Sequence, residues 1–184
     1  MLAPIAWMAA AAVAGDYADV LTAAVKRDGV DYVELRRQRG KVERHVRSLE
    51  KADAGAAKPL AFWIDAYNAL TLHRVLETIP ESGPYSVRDV EGFWTKRTWE
   101  VAGRKVTLDL IEHEILRKEL RDPRIHFAIN CASRSCPPLA PVPYAEAADL
   151  DQALSRAARA YLADRARNRF DAPARTAELS QLFE

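Results

Sequence analysis

Leu60-Ala-Phe-Trp-Ile-Asp-Ala-Tyr-Asn-Ala-Leu-Thr-Leu-His-Arg-Val-Leu76 is the most apolar stretch of the chain, and the rest of the fold has to be arranged around it. Leu60, Ile64, Tyr67, Leu70 and Val75 recur mainly at the helical spacing of three and four residues. Apolar side chains also fill the positions between them, and a helix that is apolar all round belongs inside a protein. Phe62, Trp63 and Tyr67 therefore read as core aromatics rather than as a ligand platform. Asp65 and Asn68 stand out in this setting. A buried carboxylate or amide needs hydrogen-bond partners, and either a structural bond or the orientation of a histidine would provide them.

Working outward from this helix, Asp16 to Leu49 shows helical spacing broken at Gly29 and Gly40, which predicts two or three helices. A small-residue break at 54–58 precedes the central helix, and Pro80, Gly83 and Pro84 close it. Ser86 to Asp89 can form a short helical turn. Trp99 to Thr107 reads as two short strands about Ala102-Gly103. Thr107 is an N-cap residue with acidic groups in the turn that follows, so a helix is expected from Leu108 to Leu120, ended by Asp122-Pro123. Arg124 to Ile129, rich in apolar and β-branched residues, reads as a short buried strand. Pro137, Pro138, Pro141 and Pro143 then exclude a ladder or helix interior, before a helical pattern resumes from Glu146 to Ala163. With no repeat and no regular alternation of strand and helix, this order predicts an α+β fold: a helix-rich single domain with a small antiparallel sheet.

The length of 184 residues suits one domain, and 49% apolar with 29% charged residues supports a packed core under a solvated surface. Lys and Arg number 27 against 26 Asp and Glu, a net charge of +1. No net field attracts a polyanion, and nucleic acid is not an expected partner. Arg36-Arg37 and Arg165 to Arg169 lie among acidic residues and read as solvated helix faces. Met1 to Ala14 carries no charge and ends in Ala12-Val13-Ala14, which resembles a signal-peptide cleavage site; residues 15–184 would then be the mature domain. The stretch is too short to span a bilayer, which needs about 20 apolar residues, and no cysteine follows it for a lipid anchor. An exported protein, periplasmic or secreted and without a membrane span in its mature chain, is the first expectation. The basic flank of a signal peptide is missing, so an alanine-rich first helix of a cytoplasmic protein, or a start codon placed late, stands beside it.

Candidate chemistry concentrates in His126-Phe-Ala-Ile-Asn-Cys-Ala-Ser-Arg-Ser-Cys136, which carries both cysteines of the chain. Three readings compete. Cys131 could be a nucleophile, activated by His126 or by His113 on the preceding helix, with loop N–H groups receiving an oxyanion. The two cysteines could instead be bridged, as oxidising compartments permit, or simply be buried thiols. A zinc site is disfavoured because Cys-x4-Cys lacks the paired ligand spacing and no His-x3-5-His partner exists. No cofactor is expected. Glu112-His113 reads equally as a surface helix pair or as part of a site, and His45 and His73 read as structural or exposed.

Three segments carry a resemblance: Leu60 to Leu70, Gly103 to His113, and Asp122 to Pro138. Together they resemble the uncharacterised family catalogued as domain of unknown function 547. The resemblance runs from about Tyr17 to the end of the chain and implies a widespread bacterial domain, fused to other segments in plants, without an established reaction. It points to Asn68, Glu112, His113, His126, Asn130, Cys131, Ser133, Cys136 and Pro137 as shared positions. Asp65 departs from it, because the family usually has asparagine there. Relatives continue through a tryptophan-containing segment past the position of Glu184, so the chain is expected to be trimmed. Cysteine, histidine and an amide or acid in a small α+β domain are also the ingredients of papain-like and transglutaminase-like enzymes, an analogy of parts only. The leading expectation is a cysteine-dependent hydrolase or acyl transferase acting on a small molecule or peptide. Cys131 is its nucleophile, His126 or His113 its base, and Asn68 or Glu112 orients the imidazole; Asn130, Ser133 and Cys136 would contact the substrate. The alternative is a non-catalytic exported binding module with a Cys131–Cys136 disulfide.

Overall fold

The computed structural model of the chain describes residues 5–27, 29–53, 59–78, 80, 85–133 and 135–183, with backbone only at 5–14 and 181. Helix α1 (Ile5–Ala24) runs into a short antiparallel pair, β1 (Val25–Lys26) and β2 (Gly29–Val30), followed by α2 (Tyr32–Arg37) and α3 (Arg39–Leu49). The central helix α4 (Pro59–Thr78) comes next, then a 3-10 turn (Val87–Asp89) and the hairpin β3 (Trp99–Val101) and β4 (Arg104–Val106). α5 (Leu108–Leu110) continues without a break into a π-helical stretch (Ile111–Leu120). Two 3-10 turns (Pro123–Phe127 and Tyr144–Glu146), α6 (Leu150–Ala163), a last hairpin, β5 (Arg169–Asp171) and β6 (Thr176–Glu178), and a closing 3-10 turn (Gln181–Phe183) complete the order. The result is a helix-rich α+β domain with, among the described residues, three separate two-stranded antiparallel sheets. Among the described residues no helix is long and apolar enough to cross a membrane.

The all-round apolar character of α4 is matched by its burial. Ala61, Ile64, Ala66, Tyr67 and Leu70 are inaccessible to solvent or nearly so, and the helix packs against α3, the π-helical stretch and the Tyr144 turn. Helix α1 packs on α3. Arg44 fixes that pair by donating from Nε and a terminal nitrogen to the two oxygens of Asp16, at 2.9 and 3.0 Å. The paired geometry matches the fork of a guanidinium to a carboxylate. The β3–β4 turn places Ala102 and Gly103 at φ 50° and 73°, the left-handed pair that suits a tight hairpin. Ala102 N–H donates to Leu49 O at 2.7 Å, tying the hairpin to the end of α3.

Two expectations are corrected. Arg124 to Ile129 is not a strand: Pro123–Phe127 is a 3-10 helix, and the N–H groups of Ala128 and Ile129 both return to Ile125 O, at 2.8 and 3.0 Å. Asp122 caps it by accepting from Arg124 N at 2.9 Å, with Pro123 at the start, where a missing N–H costs nothing. Ile125 and Ile129, four residues apart, are then buried on one face. The last long helix begins at Leu150 rather than Glu146. Asp149 is its N-cap, accepting from Gln152 N at 3.0 Å, and the chain at Ala147 is extended. The hairpin at 99–106 and the helix from Leu108 to Leu120 form as the residue patterns predict. The break at 54–58 and the Gly83-Pro84 closure lie outside the described residues, as do residues 1–4 of the expected export signal, whose remainder continues as α1.

Candidate functional site

The segment from Ala128 to Pro137 is held by side chains that act on its backbone. Asn68, on the buried face of α4, donates from Nδ2 to Ala128 O at 3.0 Å and accepts from Asn130 N–H at 2.9 Å. Its amide thus fills the place a neighbouring strand would take, with both polar ends committed to the main chain. Asn130 repeats the device within the loop: Oδ1 accepts from Ala132 N–H at 2.8 Å and Nδ2 donates to Pro137 O at 2.7 Å. Ala132 sits at φ 64°, a left-handed position made tolerable by that side-chain bond. Cys136 N–H donates to Ser133 O at 3.1 Å, and Trp94 Nε1 donates to Cys131 O at 3.3 Å.

The two cysteines are joined. Cys131 and Cys136 form a disulfide across a Cα separation of 6.3 Å, and Cys131 N–H points at Cys136 Sγ, 3.4 Å away. Of the three readings open at the sequence level, the structure therefore contains the bridge, and neither sulfur carries a thiolate in this state. Among the described residues no hydrogen bond joins an imidazole to either sulfur, and no group of three or more His, Cys, Asp or Glu side chains converges in a way that could hold a metal ion.

The expected imidazoles gather in a second cluster. Tyr67, buried in the core, donates its hydroxyl to Glu112 Oε2 at 2.9 Å. Burial pushes the Tyr67 phenol well above its ordinary range, and the nearby Glu112 charge adds to it. His126 is half-buried, and that burial lowers its pKa; Glu112 opposes the effect, while Arg117 and His113 reinforce it. A neutral His126 imidazole at pH 7 follows, competent to accept a proton. His113 is partly exposed, with Nδ1 at 2.9 Å from Arg117 and Nε2 at 3.6 Å from Asp109. Glu112, His113 and His126 are thus brought together, whereas Asn130, Cys131, Ser133 and Cys136 form the stapled loop, anchored by Asn68 from α4.

A family model described as protein of unknown function, DUF547, matches residues 52–162. The chain belongs to this family. No curated protein and no solved structure matches it. All eight expected site residues fall inside the DUF547 segment, which runs from ahead of α4 into the last turn of α6.

Beside the loop of this DUF547 domain lies a polar cleft of about 740 Å³, lined by Asn130, Ser133 and Cys136 from the loop and by Lys26, Arg27 and Asp31 from the β1–β2 region. Neither the cations nor Trp94 stood out in the sequence, because nothing local marks a residue whose importance comes from a distant loop. Tyr161 is similar: its hydroxyl lies 2.9 Å from Ser135 O and 2.7 Å from Ser180 Oγ, bracing the loop from α6. Asp65 proves structural, accepting from Tyr144 N–H at 2.9 Å and Ala145 N–H at 2.8 Å. Burial pushes its carboxyl up to about 7, against the two N–H groups, which favour the ionised form.

Proposed function

We propose that the protein is a binding module that takes its ligand in the polar cleft beside the Cys131–Cys136 loop, and that it works in an oxidising compartment after export. The bridge itself carries the proposal: a sulfur pair held as a disulfide has no thiolate to attack with, and small loops stapled in this way belong to exported proteins. The side chains around the loop support the same reading, since Asn68 and Asn130 spend their polar atoms on backbone groups. A loop held in this way presents the Ser133 hydroxyl to a ligand at low ordering cost. Thiol labelling of the native chain at pH 6 tests it. No incorporation at Cys131 without reductant is expected, and rapid stoichiometric labelling would overturn the proposal.

A cysteine-dependent hydrolase or acyl transferase is the second reading, and it applies to the reduced chain. The lowered pKa of His126, with Glu112 beside it, favours this reading, because a neutral imidazole is what a general base requires. Cys131 would be the nucleophile and His126 or His113 the base, with Glu112 or Asn68 as the orienting group. Turnover of acyl ester substrates that appears only after reduction, and disappears in Cys131→Ser, would establish it.

A further inference from the structure

The polar cleft has a neighbour. A second hollow, about 530 Å³, opens between α6 and the segment from Pro138 to Tyr144. Pro138, Leu139 and Asp164 line both hollows, so the two lie side by side. The second differs from the first in chemistry. Its walls include Phe127, Leu139, Tyr144 and Tyr161, with the alanines of one α6 face opposite. Pro138, Pro141 and Pro143 also line it, with Asp149, Gln152, Arg156 and Asp164 as its polar members. A proline has no N–H, so this wall offers few donors to a peptide backbone and suits an aliphatic chain better than an added strand. Each hollow lies within the ~300–1,000 Å³ typical of small-molecule sites.

Among the described residues, the cleft beside the loop has one more cation than anion in its lining. Lys26, Arg27 and Arg167 line it against Asp31 and Asp164. Asp164 is already paired with Arg167 and accepts from Ala166 N–H at 2.9 Å. Asp31 Oδ1 is occupied by the N–H groups of Val33 and Glu34, each at 3.0 Å. Lys26, at the end of β1, donates its ammonium to Ala23 O at 2.7 Å, so Arg27, exposed on the β1–β2 turn, is the cation offered to the cleft, and a guanidinium fork matches a carboxylate.

We infer that the two neighbouring hollows bind an amphiphilic anion, a long-chain aliphatic carboxylate, with its tail along the proline-lined groove and its head toward Arg27. This rests on the binding-module reading and names the ligand class for it. Calorimetric titration of the full, oxidised chain with dodecanoate, below its micellar concentration, gives the test, after intact mass has verified the bridge. Saturable binding is expected, strengthening roughly threefold to fourfold per methylene from octanoate to dodecanoate. Dodecyltrimethylammonium, with the same tail and an opposite head, should bind at least tenfold more weakly, and Arg27→Glu should weaken dodecanoate by a similar factor. Ala157→Phe, which fills the groove, should weaken dodecanoate while leaving the far-ultraviolet spectrum unchanged; Arg27→Glu, at an exposed turn, keeps the test valid should that variant unfold. Equal binding of both head groups, or no saturable binding by a bridged chain, overturns this inference alone, whereas free thiols would overturn the reading beneath it.

Discussion

Replacing Asn68 with alanine removes the one side chain that joins α4 to both Ala128 and Asn130, and its cost can be worked from the two bonds. Asn68 is 2% exposed, and its partners are a main-chain carbonyl at 3.0 Å and a main-chain N–H at 2.9 Å, set back from solvent. Stranding a buried donor or acceptor costs about 1–3 kcal/mol each, so Asn68→Ala should lower the unfolding free energy by about 2–6 kcal/mol. Asn68→Asp separates the two contributions. It keeps an acceptor for Asn130 N–H but sets a carboxylate oxygen against Ala128 O, so it should be at least as damaging at neutral pH. Urea unfolding followed by tryptophan fluorescence gives the stability, and hydrogen exchange of the Ala128–Pro137 amides shows whether the loop loosens first. Losses below about 0.5 kcal/mol for both variants, with unchanged exchange in the loop, would refute the assignment of Asn68 as its anchor.

Asp65 makes a pH-dependent contribution whose sign follows from burial. Its folded pKa is raised from 3.8 to about 7, so the native state holds this proton more tightly than the unfolded chain. The stability it confers is complete below about pH 4 and is lost as pH rises through about 7. A displacement of roughly three pH units is worth at most about 4 kcal/mol. Unfolding free energies measured between pH 4 and 8 should fall with pH in the native sequence and lose much of that slope in Asp65→Asn; an identical slope would contradict the assignment. In the imidazole cluster, Glu112→Gln should lower the His126 pKa further and Arg117→Gln should raise it, as read by NMR titration, because these charges act on it in opposite directions. Tyr67→Phe should cost about 1.5–3 kcal/mol for the lost bond to the Glu112 carboxylate, measured by denaturant unfolding, with a neutral result excluding that bond.

The central helix was legible because Leu60 to Leu76 has no polar face wide enough for solvent, and the 99–106 hairpin because Ala102-Gly103 punctuates two short alternating runs. Arg124 to Ile129 was misread for a physical reason. Its β-branched residues favour a strand, but Asp122 caps a new helical turn there, and no neighbouring strand was available to pair with it. The loop from Asn130 to Cys136 was legible as the chemical centre from composition alone. Its supports were not: Asn68 lies some sixty residues earlier, Trp94 nearly forty, and Lys26 and Arg27 about a hundred. Three-dimensional packing, not local pattern, brings them to the loop. The choice between thiol and bridge was also beyond the residue pattern, since a five-residue step between cysteines is compatible with either.

Peptide mapping of the natively folded, non-reduced chain, alkylated before digestion, examines the sulfur pair directly. A single peptide species linking Cys131 to Cys136, free of alkyl groups and separating into two only after reduction, is expected if the bridged loop is the ligand-facing wall. Quantitative alkylation of Cys131 in the folded, air-equilibrated protein would show that the loop is not stapled, and the binding-module proposal would yield to the thiol chemistry.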